Sequence, residues 1–197
     1  MRIFPVLVLA LAVALVGAVF AVTRDDDAPT DDTGRVTLVG DSLNVGVEPF
    51  LRDELSGWRV DARDRVGRTT REGIDELRRL GAALAPVVVV SLGTNDLDGS
   101  EEEFRGYVEE ATEIVGPRRC LLWATIIRDG VERTGFDRVL REASAANESL
   151  RLVDWAEMVA QDDSLLAADH VHGTPEGYAR RAAETARAVR ACPRTSG

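Results

Sequence analysis

The distribution of apolar and polar positions divides the chain into three stretches. Residues 3–22 run for twenty positions without a charged or strongly polar side chain. At about 1.5 Å rise per residue, a helix of that length spans about 30 Å, the thickness of a hydrocarbon core. Arg2 precedes the run and Arg24, Asp25, Asp26 and Asp27 follow it, an asymmetry that directs the N-terminus to the cytoplasm and the rest outside. Residues 1–23 are therefore expected to be a membrane anchor or a cleaved signal peptide, with Val19-Phe20-Ala21 as a loose small-residue cleavage site. Residues 24–34 are acidic, small and free of apolar periodicity. Such a segment buries too little surface to offset the entropy of ordering it and is expected to be a linker. Residues 35–197 remain, enough for one domain with a core of its own.

Within that domain, short apolar runs alternate with longer stretches of helical spacing. Residues 36–39, 58–62, 87–92, 120–127 and 150–155 predict strands. Residues 45–55, 70–84, 101–115, 136–146 and 176–191 predict helices, with apolar residues at three- and four-residue steps such as Ile74, Leu77, Leu80, Ala83 and Leu84. The third run, VVVVSL, is apolar at nearly every position, which suits a strand buried on both faces. Five βα units imply an α/β fold, a five-stranded parallel sheet with helices on both sides joined by right-handed crossovers. In such sheets ligands bind beyond the carboxyl ends of the strands.

Charge and cysteine content narrow the classes. A formal net charge of −10 argues against a nucleic-acid partner, since phosphate binding needs a basic face. All 24 basic residues are arginine, for which we have no physical account. Cys120 and Cys192 are the only cysteines; in an exported protein the pair reads as a disulfide, the alternative being two separately buried thiols.

Candidate chemistry gathers at the strand ends. The first strand runs into Gly40-Asp41-Ser42-Leu43-Asn44, placing a serine hydroxyl and the N–H groups of a helix start at the crevice. Serine and aspartate are also ordinary N-caps. After the second strand comes Gly67-Arg68-Thr69-Thr70, where glycine lets backbone approach a substrate, or merely turns the chain. The third is followed by Gly93-Thr94-Asn95-Asp96, whose asparagine amide could serve an oxyanion or shape the turn. The two histidines of the chain fall in Asp169-His170-Val171-His172, just before Gly173-Thr174-Pro175-Glu176-Gly177-Tyr178. Thr174 as N-cap and Pro175 as first helical residue would fix that approach. An aspartate three residues ahead of a histidine can fold back to hold the imidazole N–H and select its tautomer.

These four blocks, in this order, resemble the SGNH/GDSL hydrolase family: GDSL at 40–43, the glycine at 67, GTND at 93–96, and DHVH followed by TPEGY at 169–178. The resemblance covers essentially residues 37–189. It implies a flavodoxin-like three-layer αβα sandwich with strand order 2-1-3-4-5. It also implies Ser42 as nucleophile, His172 as base, Asp169 as its orienting partner, and an oxyanion hole from the N–H groups of Ser42 and Gly67 and the Asn95 side chain. His170 then occupies a variable rim position, and Asp41 and Asp96 cap and set turns. The serine block is not the G-x-S-x-G elbow of α/β-hydrolases.

The expectation is an extracytoplasmic, monomeric serine esterase that cleaves small acyl esters through an acyl-enzyme, with O-acetyl groups of cell-envelope glycans as candidate substrates. No metal or organic cofactor is implied. Two rivals stand beside it: a catalytically silent envelope-binding module that keeps the fold, and a metal site at Asp169, His170 and His172.

Overall fold

The computed structural model describes residues 34–193. Five parallel strands, β1 (Arg35–Gly40), β2 (Arg59–Ala62), β3 (Val87–Ser91), β4 (Cys120–Ala124) and β7 (Leu150–Val153), form a sheet in the order β2-β1-β3-β4-β7. Numbered by sheet strand alone, this is 2-1-3-4-5. Helices α1 (Ser42–Glu54), α2 (Thr70–Leu80), α3 (Glu101–Val115), α4 (Thr134–Ala146), α5 (Trp155–Gln161) and α6 (Pro175–Arg190) connect or follow the strands.

Because side chains alternate across a strand, the uninterrupted apolar runs feed two cores. Val88 and Val90 of β3, with Leu121 and Trp123 of β4, pack against α2, α3 and α4 through Ile74, Leu77, Phe104, Val108 and Val139. Val87 and Val89, with Cys120 and Leu122, face α1 and α6 through Val47, Leu51, Ala182 and Ala186. Thr37 is the polar interruption in β1; it is buried, and its hydroxyl accepts the N–H of Ala85 at 3.0 Å. A disulfide joins Cys120, at the start of β4, to Cys192, just after α6, with Cα atoms 5.9 Å apart. It lies at the end of the sheet opposite the strand carboxyl termini.

Several predicted boundaries shift, each for a local reason. The fourth run ends as a sheet strand at Ala124, not at residue 127. The buried Asp137 carboxylate takes the Ile126 N–H at 2.8 Å, and Ile127–Arg128 (β5) turns into a small antiparallel hairpin with Val131–Glu132 (β6). The fifth strand stops at Val153, and Trp155 opens α5 instead of ending a strand, because Asp154 caps that helix by accepting the Glu157 N–H at 3.3 Å. The first helix begins earlier than its apolar pattern, at Ser42, under the Asp41 cap. The second ends at Leu80 and tightens into a 3₁₀ turn at Gly81–Ala83, Gly81 adopting φ +48°.

The expected anchor or signal at residues 1–23, and nearly all of the linker, lie outside the described residues. Among the described residues no helix is long and apolar enough to cross a membrane.

Candidate active site

The four sequence blocks converge at the carboxyl ends of β1, β2 and β3 and the approach to α6. Ser42 is the first residue of α1. The residue before it, Asp41, is wholly buried and caps the helix through an Oδ1 bond from the Leu43 N–H at 2.9 Å. Gly40 cannot be larger, since a Cβ there would meet the side chain of Asn44 in the first turn of α1.

The segment 165–174 presents His172 to that serine. Its backbone is closed on itself: the Ala167 N–H donates to His172 at 2.8 Å, the Thr174 N–H to Leu165 at 2.9 Å, and the His170 N–H to Ala167 at 2.9 Å. Thr174 caps α6 by accepting the Gly177 N–H at 3.1 Å, with Pro175 as the first helical residue. Gly177 is required because a Cβ would strike the Leu165 carbonyl, and the Tyr178 ring rests where side chains at Gly46 and Gly173 would go. Helices α1 and α6 are thereby drawn together, and with them the two halves of the site.

The result is a hydrogen-bonded relay. His172 Nε2 lies 2.9 Å from Ser42 Oγ, and His172 Nδ1 lies 2.7 Å from Asp169 Oδ2. The other oxygen of Asp169 accepts the N–H groups of Val171 at 3.0 Å and His172 at 2.9 Å. These backbone bonds, with the imidazole, hold the carboxyl group well below the usual carboxylate range although it is solvent-exposed. An ionised Asp169 on Nδ1 keeps that nitrogen protonated and leaves Nε2 free to take the serine proton.

His170 does not join. It has φ +55°, its carbonyl accepts the Gly130 N–H from the β5–β6 turn at 2.7 Å, and its ring lies against Gly130. Among the described residues no group of three or more His, Cys, Asp or Glu side chains is arranged to hold a metal ion.

Around Ser42 the polar groups suit a developing negative charge. Neither the Ser42 nor the Gly67 N–H donates to another described residue. Gly67 is exposed and at φ +73°, a conformation that favours glycine. The Asn95 amide donates to Asp41 Oδ2 at 3.2 Å and to the Arg68 carbonyl at 3.1 Å. Both of its hydrogens are therefore engaged, so service to an oxyanion requires exchange of one bond. The neutral Arg68 carbonyl is the weaker acceptor and the one to yield; the Asp41 carboxylate keeps the amide in place. Asp96 ties this turn to α2 by accepting the N–H of Thr70 at 3.0 Å and also its hydroxyl.

Beneath the serine turn lies a group of buried charges that sequence reasoning missed. Arg181 of α6 is buried, donates to Ser91 Oγ at 2.7 Å, and is near enough to Asp41 and Asp64 for each carboxylate to act on it. Burial lowers its guanidinium to about 10. Burial likewise raises Asp41 to about 6, partly offset by the Leu43 N–H and by Arg181. Asp64 is also raised to about 6 by burial, its Oδ1 accepting the Asn44 amide at 2.9 Å. A signal existed: Arg181 falls on the buried stripe of α6 formed by Ala182, Thr185, Ala186 and Val189. The β5–β6 hairpin was also missed; Arg128 donates to the Thr94 carbonyl at 3.0 Å and Arg133 to that of Gly93 at 2.9 Å, bracing the Asn95 turn.

Comparison with known proteins agrees with this architecture. No protein-family model matches the chain. A putative peptidoglycan O-acetyltransferase, YrhL of Bacillus subtilis (strain 168), is 23% identical over 154 residues, 76% of this chain and 23% of its own length. The chain thus spans about a quarter of that relative. Among solved structures, the C-terminal catalytic domain of Streptococcus pneumoniae peptidoglycan O-acetyltransferase A superposes with TM-score 0.66 at 18% identity, covering 79% of this chain and 92% of that one. A GDSL-like lipase from Bacteroides thetaiotaomicron gives TM-score 0.66 at 18% identity, over 82% and 90% of the two chains. TesA gives 0.64 at 22% identity, over 77% and 95%. The five-stranded sheet, its strand order and these superpositions together show that the chain has the fold of the SGNH/GDSL hydrolases.

Proposed function

We propose that this protein is a serine acyl-ester hydrolase or acyltransferase acting outside the cytoplasm on acylated glycans of the cell envelope, with Ser42, His172 and Asp169 as its triad. The observation that carries the reading is the continuous relay from Asp169 through His172 to Ser42, beside two backbone N–H groups with no partner among the described residues.

In this reading His172 Nε2 removes the Ser42 proton as Oγ attacks the ester carbonyl. The Ser42 and Gly67 N–H groups and the Asn95 amide stabilise the oxyanion. The imidazolium, stabilised by ionised Asp169, then protonates the departing alkoxide, leaving the acyl group on Ser42. A second hydroxyl, from water or from a sugar, repeats the sequence in reverse. The relatives named as O-acetyltransferases support a sugar acceptor; the GDSL-like lipase supports water. Export is supported by the apolar run at residues 3–22, by its flanking charges and by the disulfide. An uncleaved run would tether a monomeric enzyme to the membrane, and the net charge of −10 disfavours nucleic acid as a partner.

The test is labelling with a fluorophosphonate together with a panel of p-nitrophenyl acyl esters, with products analysed with and without a glycan acceptor. Modification of Ser42 and turnover fastest with acetyl are expected, both abolished in Ser42→Ala. Folded protein that neither labels nor turns over any ester would favour the silent binding module.

A further inference from the structure

Next to the relay lies a cleft of about 320 Å³ whose occupant the triad does not specify. It opens between the start of α2, the turn after β3 and the first turns of α3, and its wall includes Asn95 but neither Ser42 nor His172. A cavity that shares the oxyanion donor without holding the nucleophile is placed to receive a part of the substrate that does not react. Its size is at the lower end of ligand pockets, about 300 to 1,000 Å³.

Two halves of an ester could enter, and the side chains choose between them. The side chains of Arg71 and Asp98 stand exposed at the cleft and form no hydrogen bond or ion pair with another described residue. Glu103 accepts the Tyr107 hydroxyl at 2.8 Å, which leaves further lone pairs on its carboxylate. An alkyl chain lying here would strip water from these groups and return nothing, at a cost for each one. A sugar ring satisfies them: its hydroxyls donate to Asp98, Glu103 and the phenolic oxygen of Tyr107, whose own hydrogen is held by Glu103, and accept from Arg71. Its C–H face finds apolar surface in Leu97, 61% exposed at the rim, over a floor closed by the buried Phe104 and Phe136. With Asp96 also in the wall, carboxylates outnumber the single arginine, which disfavours a phosphorylated ligand.

We infer that this cleft is the subsite for the alcohol half of the substrate, an uncharged sugar residue of the acylated glycan, held by Arg71, Asp98, Glu103 and Tyr107. The assignment rests on the esterase or transferase reading for the reaction, but binding tests it separately.

Ser42→Ala protein, which binds without turnover, is titrated by calorimetry with O-acetylated chitotetraose, alone and with Asp98→Ala or Arg71→Ala added. Both are exposed positions whose truncation leaves the core untouched. The Kd should rise about tenfold per truncation, the loss of one hydrogen bond to a charged group. In the Ser42 enzyme, the ratio of kcat/KM for that oligosaccharide to kcat/KM for p-nitrophenyl acetate should fall at least fivefold, through KM. Unchanged Kd in both double variants, or no binding at all by the Ser42→Ala protein, overturns the subsite. If p-nitrophenyl acetate is still hydrolysed, the proposed reaction survives that result. Intact binding with no turnover of either ester by the Ser42 enzyme overturns the proposed reaction and leaves a sugar-binding cleft.

Discussion

Reduction of the Cys120–Cys192 bridge should cost stability and spare catalysis. The two residues are 72 positions apart, so the bond closes a long loop and removes that freedom from the unfolded chain. In the chain-entropy relation a loop of that length is worth about 4.4 kcal/mol at 25 °C. For a domain of this size about 2–4 °C of midpoint corresponds to each kcal/mol, which puts the expected fall at about 9–18 °C. The bridge joins the start of β4 to the end of α6, whereas Ser42 and Asn95 lie beyond the opposite ends of the strands. Ester turnover at 25 °C should therefore survive reduction. The assay is calorimetric unfolding of one preparation with and without reductant, two thiols per chain confirmed by titration, with p-nitrophenyl acetate turnover measured on both. A midpoint change under about 3 °C after complete reduction would refute the loop-closure argument. Loss of turnover well below the reduced midpoint would refute the separation of bridge from site.

The two histidines should behave oppositely: His172→Ala is expected to lose about 10³-fold or more in turnover and His170→Ala little, measured with p-nitrophenyl acetate. Equal losses would point away from the relay. Asn95→Ala should lower kcat by about 10²- to 10³-fold, the usual worth of one oxyanion donor. Asp41→Asn keeps an N-cap side chain but gives up the charge-assisted bond to the Asn95 amide, so kcat should fall about tenfold with KM little changed; wild-type kcat would show that Asn95 needs no such support. Stability should fall as pH rises from about 5 to 7.5. Burial raises Asp41 and Asp64 to about 6 and Asp137 to about 7, so across this interval the folded state holds more protons than the unfolded one. The carboxylates shifted the other way, Glu72, lowered to about 2 chiefly by the Thr69 N–H, and Glu142, Asp154, Asp162 and Asp169, contribute stability already present above their unfolded pKa values, so they do not reverse the trend above pH 5. A midpoint at pH 7.5 equal to or above that at pH 5 would contradict these shifts.

Strand and helix identity were legible in the sequence because period-2 and period-3.6 burial patterns are local properties. The VVVVS strand needs neighbours on both faces wherever it sits, and the α3 bounds, set by the Ser100 cap and Gly116, match the sequence expectation. Less was legible where a distant side chain takes a backbone group. Asp137 takes the Ile126 N–H and ends β4 as a sheet strand, which no property of residues 120–127 reveals. The candidate triad residues could be named from their blocks, but not the distances that make them a relay, since Ser42 and His172 are 130 residues apart and meet only because α1 and α6 pack through Gly46 and Tyr178. Nor could sequence distinguish Asp41 as an ordinary cap from Asp41 as the acceptor that holds Asn95, because local capping chemistry is the same in both cases. Residue types and local periodicity therefore determine the elements and the candidate groups. Which groups share a buried, low-dielectric space, and so act on one another, is decided only when the sheet brings its strand ends together.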